Sequence, residues 1–164
     1  MPLRGEAKLR AALAAFSVDV AGRVAVDCGA AAGGFTRVML DNGARRVYAV
    51  DAGFGQLRGS LRADSRVVTM ERTNIGRLDA DVVPEPAGVI TLDLSYLAIA
   101  LAVPQLSGLR FAAGADLIAL VKPMYELGFE HPPRRRADRR RAVAAAEAGV
   151  RSAGWLPLGS IRSP

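Results

Sequence analysis

The 164-residue chain contains one cysteine, Cys28, and one histidine, His131, and no apolar run near the ~18 to 20 residues that span a bilayer. Each scarcity excludes a class of protein. A single thiol forms no internal disulfide, so this is no disulfide scaffold and it fits a reducing compartment. The lone histidine sits beside Pro132 and Pro133 with no second ligand nearby, so it reads as an exposed loop residue and no metal site is expected. Met1 to Gly5 lacks the apolar core of a secretion signal. The expectation is a cytoplasmic protein with no membrane association. There is no internal repeat, and the one biased segment is 132–141, with six arginines between Arg134 and Arg141.

What is present is a globular composition, 51% hydrophobic and 23% charged, at a length suited to one domain over 1–164. The net charge of +6 and isoelectric point near 10.4 favour polyanionic partners, nucleic acid first.

Leu9, Leu13 and Phe16 recur at helical spacing, which predicts an amphipathic helix within 1–20 that also carries Lys8. Runs rich in β-branched and apolar residues predict strands at 23–27, 46–51, 66–70, 89–93 and 117–121, with a sixth at 155–161. Helical patterns fill the gaps at 35–40, 97–106 and 139–153, the last stopped by Gly154. Strands alternating with helices predict a doubly wound α/β fold, with ligands held beyond the carboxyl ends of parallel strands. The polar residues ending those strands, Asp27, Asp51, Asp93 and Lys122, become the site candidates.

The first strand leads into a loop whose Gly29, Ala30, Gly33, Gly34 and Phe35 give a backbone able to turn sharply and approach a ligand. Asp51, 24 residues after Asp27, is placed to accept both hydroxyls of an adenosine ribose. Charge then selects among nucleoside cofactors. Asp27 would repel a dinucleotide's pyrophosphate but attract the sulfonium and ammonium groups of S-adenosylmethionine. Thr73 and Asn74, in the loop after the third strand, are expected at the adenine edge or form an ordinary turn; Tyr125 and Glu126 are expected either on the acceptor side or as part of an ordinary structured loop. Cys28 reads as a small buried residue.

The run from Asp27 to Thr36 resembles the first motif of FtsJ-like ribose methyltransferases. The segments RGEAKL (4–9), RVYAVDAGFGQL (46–57), MERTN (70–74), LDLSY (92–96) and LVKPMYELG (120–128) resemble, in order and spacing, the TlyA family, haemolysin-named enzymes that methylate cytidine 2′-hydroxyls of ribosomal RNA. The resemblance implies a Rossmann-like class I methyltransferase with a mostly parallel sheet that lacks its last strand. It also implies S-adenosylmethionine as cofactor, S-adenosylhomocysteine as product, and Lys8, Asp93 and Lys122 as catalytic residues, with Asp93 also at the cofactor. The family's fourth catalytic residue, a glutamate, follows the stretch that here reads Gly159 to Pro164, and its RNA-binding S4 domain has no counterpart, so a partner protein is expected in its place. The glycine-rich loop the family carries after Gly128 is replaced by the arginine segment. Arg134, Arg135, Arg136, Arg139 and Arg140 are expected either to contact RNA phosphates or to form a solvated face. Three readings stay open at this point: RNA 2′-O-methylation, methylation of a small molecule, and a non-catalytic domain that binds cofactor or RNA.

Overall fold

The computed structural model describes residues 3–164. Five strands, β1 (Val24–Cys28), β2 (Arg46–Val50), β3 (Val67–Met70), β4 (Ala87–Leu92) and β5 (Phe111–Ala119), form one sheet in the order β3-β2-β1-β4-β5. Every pairing is parallel. β1 and β4 are buried along their whole lengths, as strands covered on both faces must be. Chain order runs outward from β1 to β3 and then returns to the other side of β1. The crevice between β1 and β4 is therefore the switch point where such sheets bind ligands.

The helices are α1 (Arg4–Phe16), α2 (Gly34–Asp41), α3 (Gly59–Arg62), α4 (Ile99–Ala102), α5 (Pro123–Glu126) and α6 (Arg136–Ser152). Leu9 and Leu13 of α1 join Val38 and Met39 of α2 and Leu61 of α3 in the core on one face of the sheet. Ile99, Ala102 and Ala146 pack with Ile90 and Leu92 on the other. The two faces make the fold doubly wound. Among the described residues, no helix is long and apolar enough to cross a membrane.

Local chemistry accounts for the departures from sequence expectation. The helix expected over 97–106 has only one α-helical turn before a 3₁₀ segment, Val103–Gly108, because Pro104 removes a backbone donor. β5 begins at Phe111 rather than 117 and ends before Leu120; its first half, FAAGA, lacks β-branched residues, and the register slips between Ala87 and Val89, opposite Gly114. The sixth strand expected at 155–161 is not formed. Trp155 stacks edge-on against Phe111, with centroids 5.1 Å apart. Pro157 offers no ladder donor, and Leu156 and Leu158 stay exposed.

Close backbone approach positions α1. A Cβ on Gly34 would lie 3.0 Å from the Gly5 Cα, and one on Gly5 would lie 3.1 Å from the Phe35 ring. The glycines let α1 cross the first turn of α2, and this brings Lys8 over the carboxyl edge of the sheet.

Candidate active site

A cavity of about 450 Å³ opens at that edge, walled by Lys8, Gly29, Asp51, Thr73, Asp93 and Lys122, with Tyr96 at its rim. Its volume lies within the usual range for small-molecule sites. A second hollow of about 500 Å³ lies between the 3₁₀ segment, Phe111 and α6, remote from these residues. It is lined mainly by apolar side chains and presents no charged group.

The loop after β1 is shaped by contact with its neighbours. Gly29 has φ +90°, and a Cβ there would sit 2.5 Å from the Asp93 carbonyl oxygen. Gly29 and Ala30 both donate backbone N–H groups to the Val50 carbonyl, at 2.9 and 3.0 Å. The next amide, that of Ala31, donates to Asp51 Oδ2 at 2.8 Å, while Gly53 N–H donates to Oδ1 at 2.7 Å. The Thr73 amide closes the knot on the Asp51 carbonyl at 2.9 Å. Asp51 thereby fixes three loops at once. Each carboxylate oxygen has a further lone pair, so the group can still accept from a diol.

Asp27 corrects the sequence reading. Its strand continues to Cys28, which leaves the carboxylate fully buried rather than at the strand's open end. It accepts hydrogen bonds from Thr36 Oγ1 at 2.6 Å and Thr91 Oγ1 at 2.9 Å, pinning β1 to α2 and β4. Burial pushes its carboxyl up to about 6 in spite of those two bonds. Its work is beneath the cavity, not at a sulfonium.

The folded state thus holds a proton that an unfolded chain, with its carboxyl near 3.8, has released. This stabilisation is complete below that pH and is lost as pH rises through about 6; at 1.36 kcal/mol per unit it is ~3 kcal/mol at most. Asp27→Asn does not titrate. Between pH 4 and pH 7, denaturant unfolding should show the parent losing up to ~3 kcal/mol relative to Asp27→Asn; a pH-independent difference would contradict the assignment.

Other expected cofactor residues stand behind the cavity wall. A Cβ on Gly33 would collide with Leu61 Cδ1 at 2.2 Å, so this glycine serves packing against α3. Ala30, Gly34 and Phe35 are buried behind the wall, the last two in the contact with α1. Asn74 is turned to the surface, where its Oδ1 accepts from the Tyr96 hydroxyl at 3.2 Å. Cys28 is buried, and burial raises its thiol well above the ordinary value.

At the far wall two lysine side chains converge on Asp93. Lys122 Nζ lies 2.7 Å from Oδ1 and Lys8 Nζ 3.6 Å from Oδ2. Of the 22 basic residues in the chain these two are the lysines and the rest are arginines. Arginine does not deprotonate in proteins, so the amines able to exchange a proton converge on one carboxylate. Lys122 also donates to the Leu94 carbonyl at 2.7 Å.

Of the two readings of Tyr125 and Glu126, the structured loop holds: they brace that wall from behind. The Tyr125 hydroxyl donates to the Ser95 carbonyl, and Glu126 Oε1 accepts from the Ile99 amide at 2.5 Å. Burial raises the Glu126 carboxyl. Sequence reasoning gave no site role to Gln56, Ser95 or Tyr96, which line the cavity. Tyr96 could have been found as the aromatic three residues after Asp93.

Arg134, Arg135, Arg136, Arg139 and Arg140 are exposed, and among the described residues none has a carboxylate partner; Arg141 pairs with Asp138 at 3.3 Å. The end of α6 leads to Trp155 at the start of β5, so the helix's arginine-bearing end lies at the opposite, carboxyl edge, where it packs beside α5.

The cradle fits a nucleoside cofactor with a positively charged tail. Asp51 offers spare acceptors for a ribose, Val50 and Ile75 give apolar wall for a base, and Asp93 supplies negative charge at the other end. Comparison with known proteins agrees with this geometry. The 16S/23S rRNA (cytidine-2′-O)-methyltransferase TlyA of Mycobacterium tuberculosis strain H37Rv is 41% identical over 169 residues, covering 98% of this chain. The chain spans 62% of that relative's length. A Streptococcus thermophilus structure described as a hemolysin superposes with TM-score 0.86 at 36% identity, covering 92% of this chain and 56% of that one. The S-adenosylmethionine-dependent methyltransferase of Mesorhizobium loti shares the fold alone, with TM-score 0.54 at 20% identity over 71% of this chain and 54% of that one. The profile of the FtsJ-like methyltransferases matches residues 2–135, through the Asp51 loop, both lysines and their shared carboxylate, and this chain belongs to that family.

Proposed function

We propose that the chain binds S-adenosylmethionine in this cavity and directs its methyl group to a ribose 2′-hydroxyl of RNA, ribosomal RNA being the acceptor named for the Mycobacterium relative. The observation that carries the reading is the convergence of Lys8 and Lys122 on Asp93 across the cavity from Asp51. Bound S-adenosylmethionine supplies an electrophilic methyl group on a sulfonium. Asp51 would take the ribose hydroxyls on its free lone pairs, and the Gly29 loop, packed against the Asp93 carbonyl, would form the adjoining wall.

The residues around Asp93 handle the acceptor. Holding a hydroxyl oxygen in line with the methyl carbon is the larger part of the task. Lys122 would take the proton that the hydroxyl gives up on accepting the methyl group, its side chain acting there as a free amine. Asp93, 2.7 Å away, stabilises the ammonium so formed. Lys8 approaches the other carboxylate oxygen and holds its orientation.

An RNA acceptor also explains the unpaired arginines at the same edge of the sheet. Phosphate contacts should make affinity fall steeply with salt, each lost contact flattening the log–log slope by about one. Replacing Arg134, Arg135 and Arg139 with Gln should therefore lower the slope by about three in filter binding of ribosomal RNA fragments. An unchanged slope would remove these arginines from the interface, and salt-independent methylation of a metabolite would replace RNA with a small acceptor.

A further inference from the structure

On the reading of RNA as acceptor, we infer that Phe54 and Arg72 form a second RNA contact, a stacking platform for a nucleobase at the opposite end of the sheet from the arginine segment. Phe54 is 65% exposed and belongs to neither core cluster. The Arg72 guanidinium lies 4.2 Å from its ring centroid. Arg72 is itself exposed, and among the described residues it has no carboxylate partner.

The platform is held by its own supports. Arg72 has φ +52°, a left-handed conformation uncommon for a residue of this size. It is fixed there by its amide, which donates to the Gly53 carbonyl at 2.9 Å. Glu71 beside it accepts from the Gly55 amide at 2.9 Å and pairs with Arg62 at 2.8 Å. The loops after β2 and β3 are thereby locked together, with Gly53 in the cavity wall and Phe54 facing out. Backbone strain of this kind gathers at functional sites. An exposed phenyl ring with a planar cation laid on it and no carboxylate partner suits an unstacked base, which can extend the stack, together with its phosphate.

Sheet order gives the platform its geometry. Phe54 and Arg72 follow β2 and β3 at one end, Asp93 follows β4 nearer the middle, and Lys122 and, past α5, the arginine segment follow β5 at the other end. Three to four strand spacings of ~4.8 Å separate β2 and β3 from β5, ~14 to 19 Å in all, and the arginine segment lies beyond α5 on the far side of that span. The span equals about four to six nucleotides of a stacked strand at ~3.4 Å each. A single strand bound at both ends crosses the mouth of the cavity.

The test is fluorescence anisotropy of labelled oligoadenylates, four to twelve nucleotides long, with the full chain saturated with S-adenosylhomocysteine. Parent affinity should step up between about four and eight nucleotides, where one strand first reaches both ends. Phe54→Ala should remove that step and weaken the twelve-mer by about 5- to 150-fold, as expected for one lost aromatic stack. Phe54→Trp should restore it, and Arg72→Gln should lower the salt slope by about one. Calorimetry should show S-adenosylhomocysteine affinity unchanged in all three variants. Parent-like RNA affinity in Phe54→Ala would overturn the platform alone, as would loss of S-adenosylhomocysteine binding in that variant. A parent that binds the cofactor product but no RNA would overturn the RNA reading, and the platform with it.

Discussion

Lys122→Met should cut single-turnover methyl transfer by ~10²- to 10⁴-fold, the usual contribution of a general base, while leaving S-adenosylhomocysteine affinity essentially unchanged. Methionine keeps most of the aliphatic stem, so α5 should stay docked through the bonds of Tyr125 to Ser95 and of Glu126 to the first residue of α4. What is lost is the amine 2.7 Å from Asp93. Lys122→Arg separates the two roles that amine can play. Arginine retains a charged donor but cannot accept the hydroxyl proton, so the account predicts that it stays nearly as slow as Met. Recovery of most of the rate by Arg would make Lys122 a positioning group, and parent-like transfer by Met would remove it from the reaction.

Asp51→Ala should weaken binding of S-adenosylhomocysteine by about 1 to 3 kcal/mol, roughly 5- to 150-fold, measured by calorimetry. The upper end is expected, because the substitution removes more than a ligand contact. The Ala31 and Gly53 amides lose their acceptor, and the loops after β1 and β2 lose their tie. Asp51→Asn should fall between parent and Ala, since it keeps one acceptor oxygen but must turn a donor toward one amide or toward the ligand. Unchanged affinity in Asp51→Ala would place the ribose elsewhere.

The central strands were legible because β1, β2 and β4 are apolar runs bounded by polar residues, as doubly covered parallel strands are. Asp51 and Asp93 were legible for the same reason, each being the first residue past its strand. Asp27 was misread by a single residue. Ending the strand at Asp27 puts the carboxylate in the crevice, whereas ending it at Cys28 encloses it with Thr36 and Thr91, the latter 64 residues away. Local sequence does not carry a contact of that separation.

Packing hid the rest. Gly33, Gly34 and Phe35 have the spacing of a ligand loop, yet they meet Leu61 and α1, which no pattern within the loop announces. Lys8 was reached through family resemblance, since its helix crosses α2 by a glycine-to-glycine contact. The scarcity of lysine among the basic residues was a sequence signal for both amines that the sequence reading did not use. The segment 155–161 alternates as a strand should, but backbone pairing depends on a neighbour rather than on side-chain rhythm, and Trp155 is held by Phe111 instead.

The most direct test of the whole account is to incubate the chain with S-adenosylmethionine carrying an isotopically labelled methyl group and with ribosomal RNA, then digest the RNA and identify the labelled nucleoside by mass spectrometry. The account predicts label on a ribose 2′-oxygen, present with the parent and reduced by at least ~10²-fold with Lys122→Met. Label on a base, or none in RNA from a parent that binds S-adenosylhomocysteine, would contradict it.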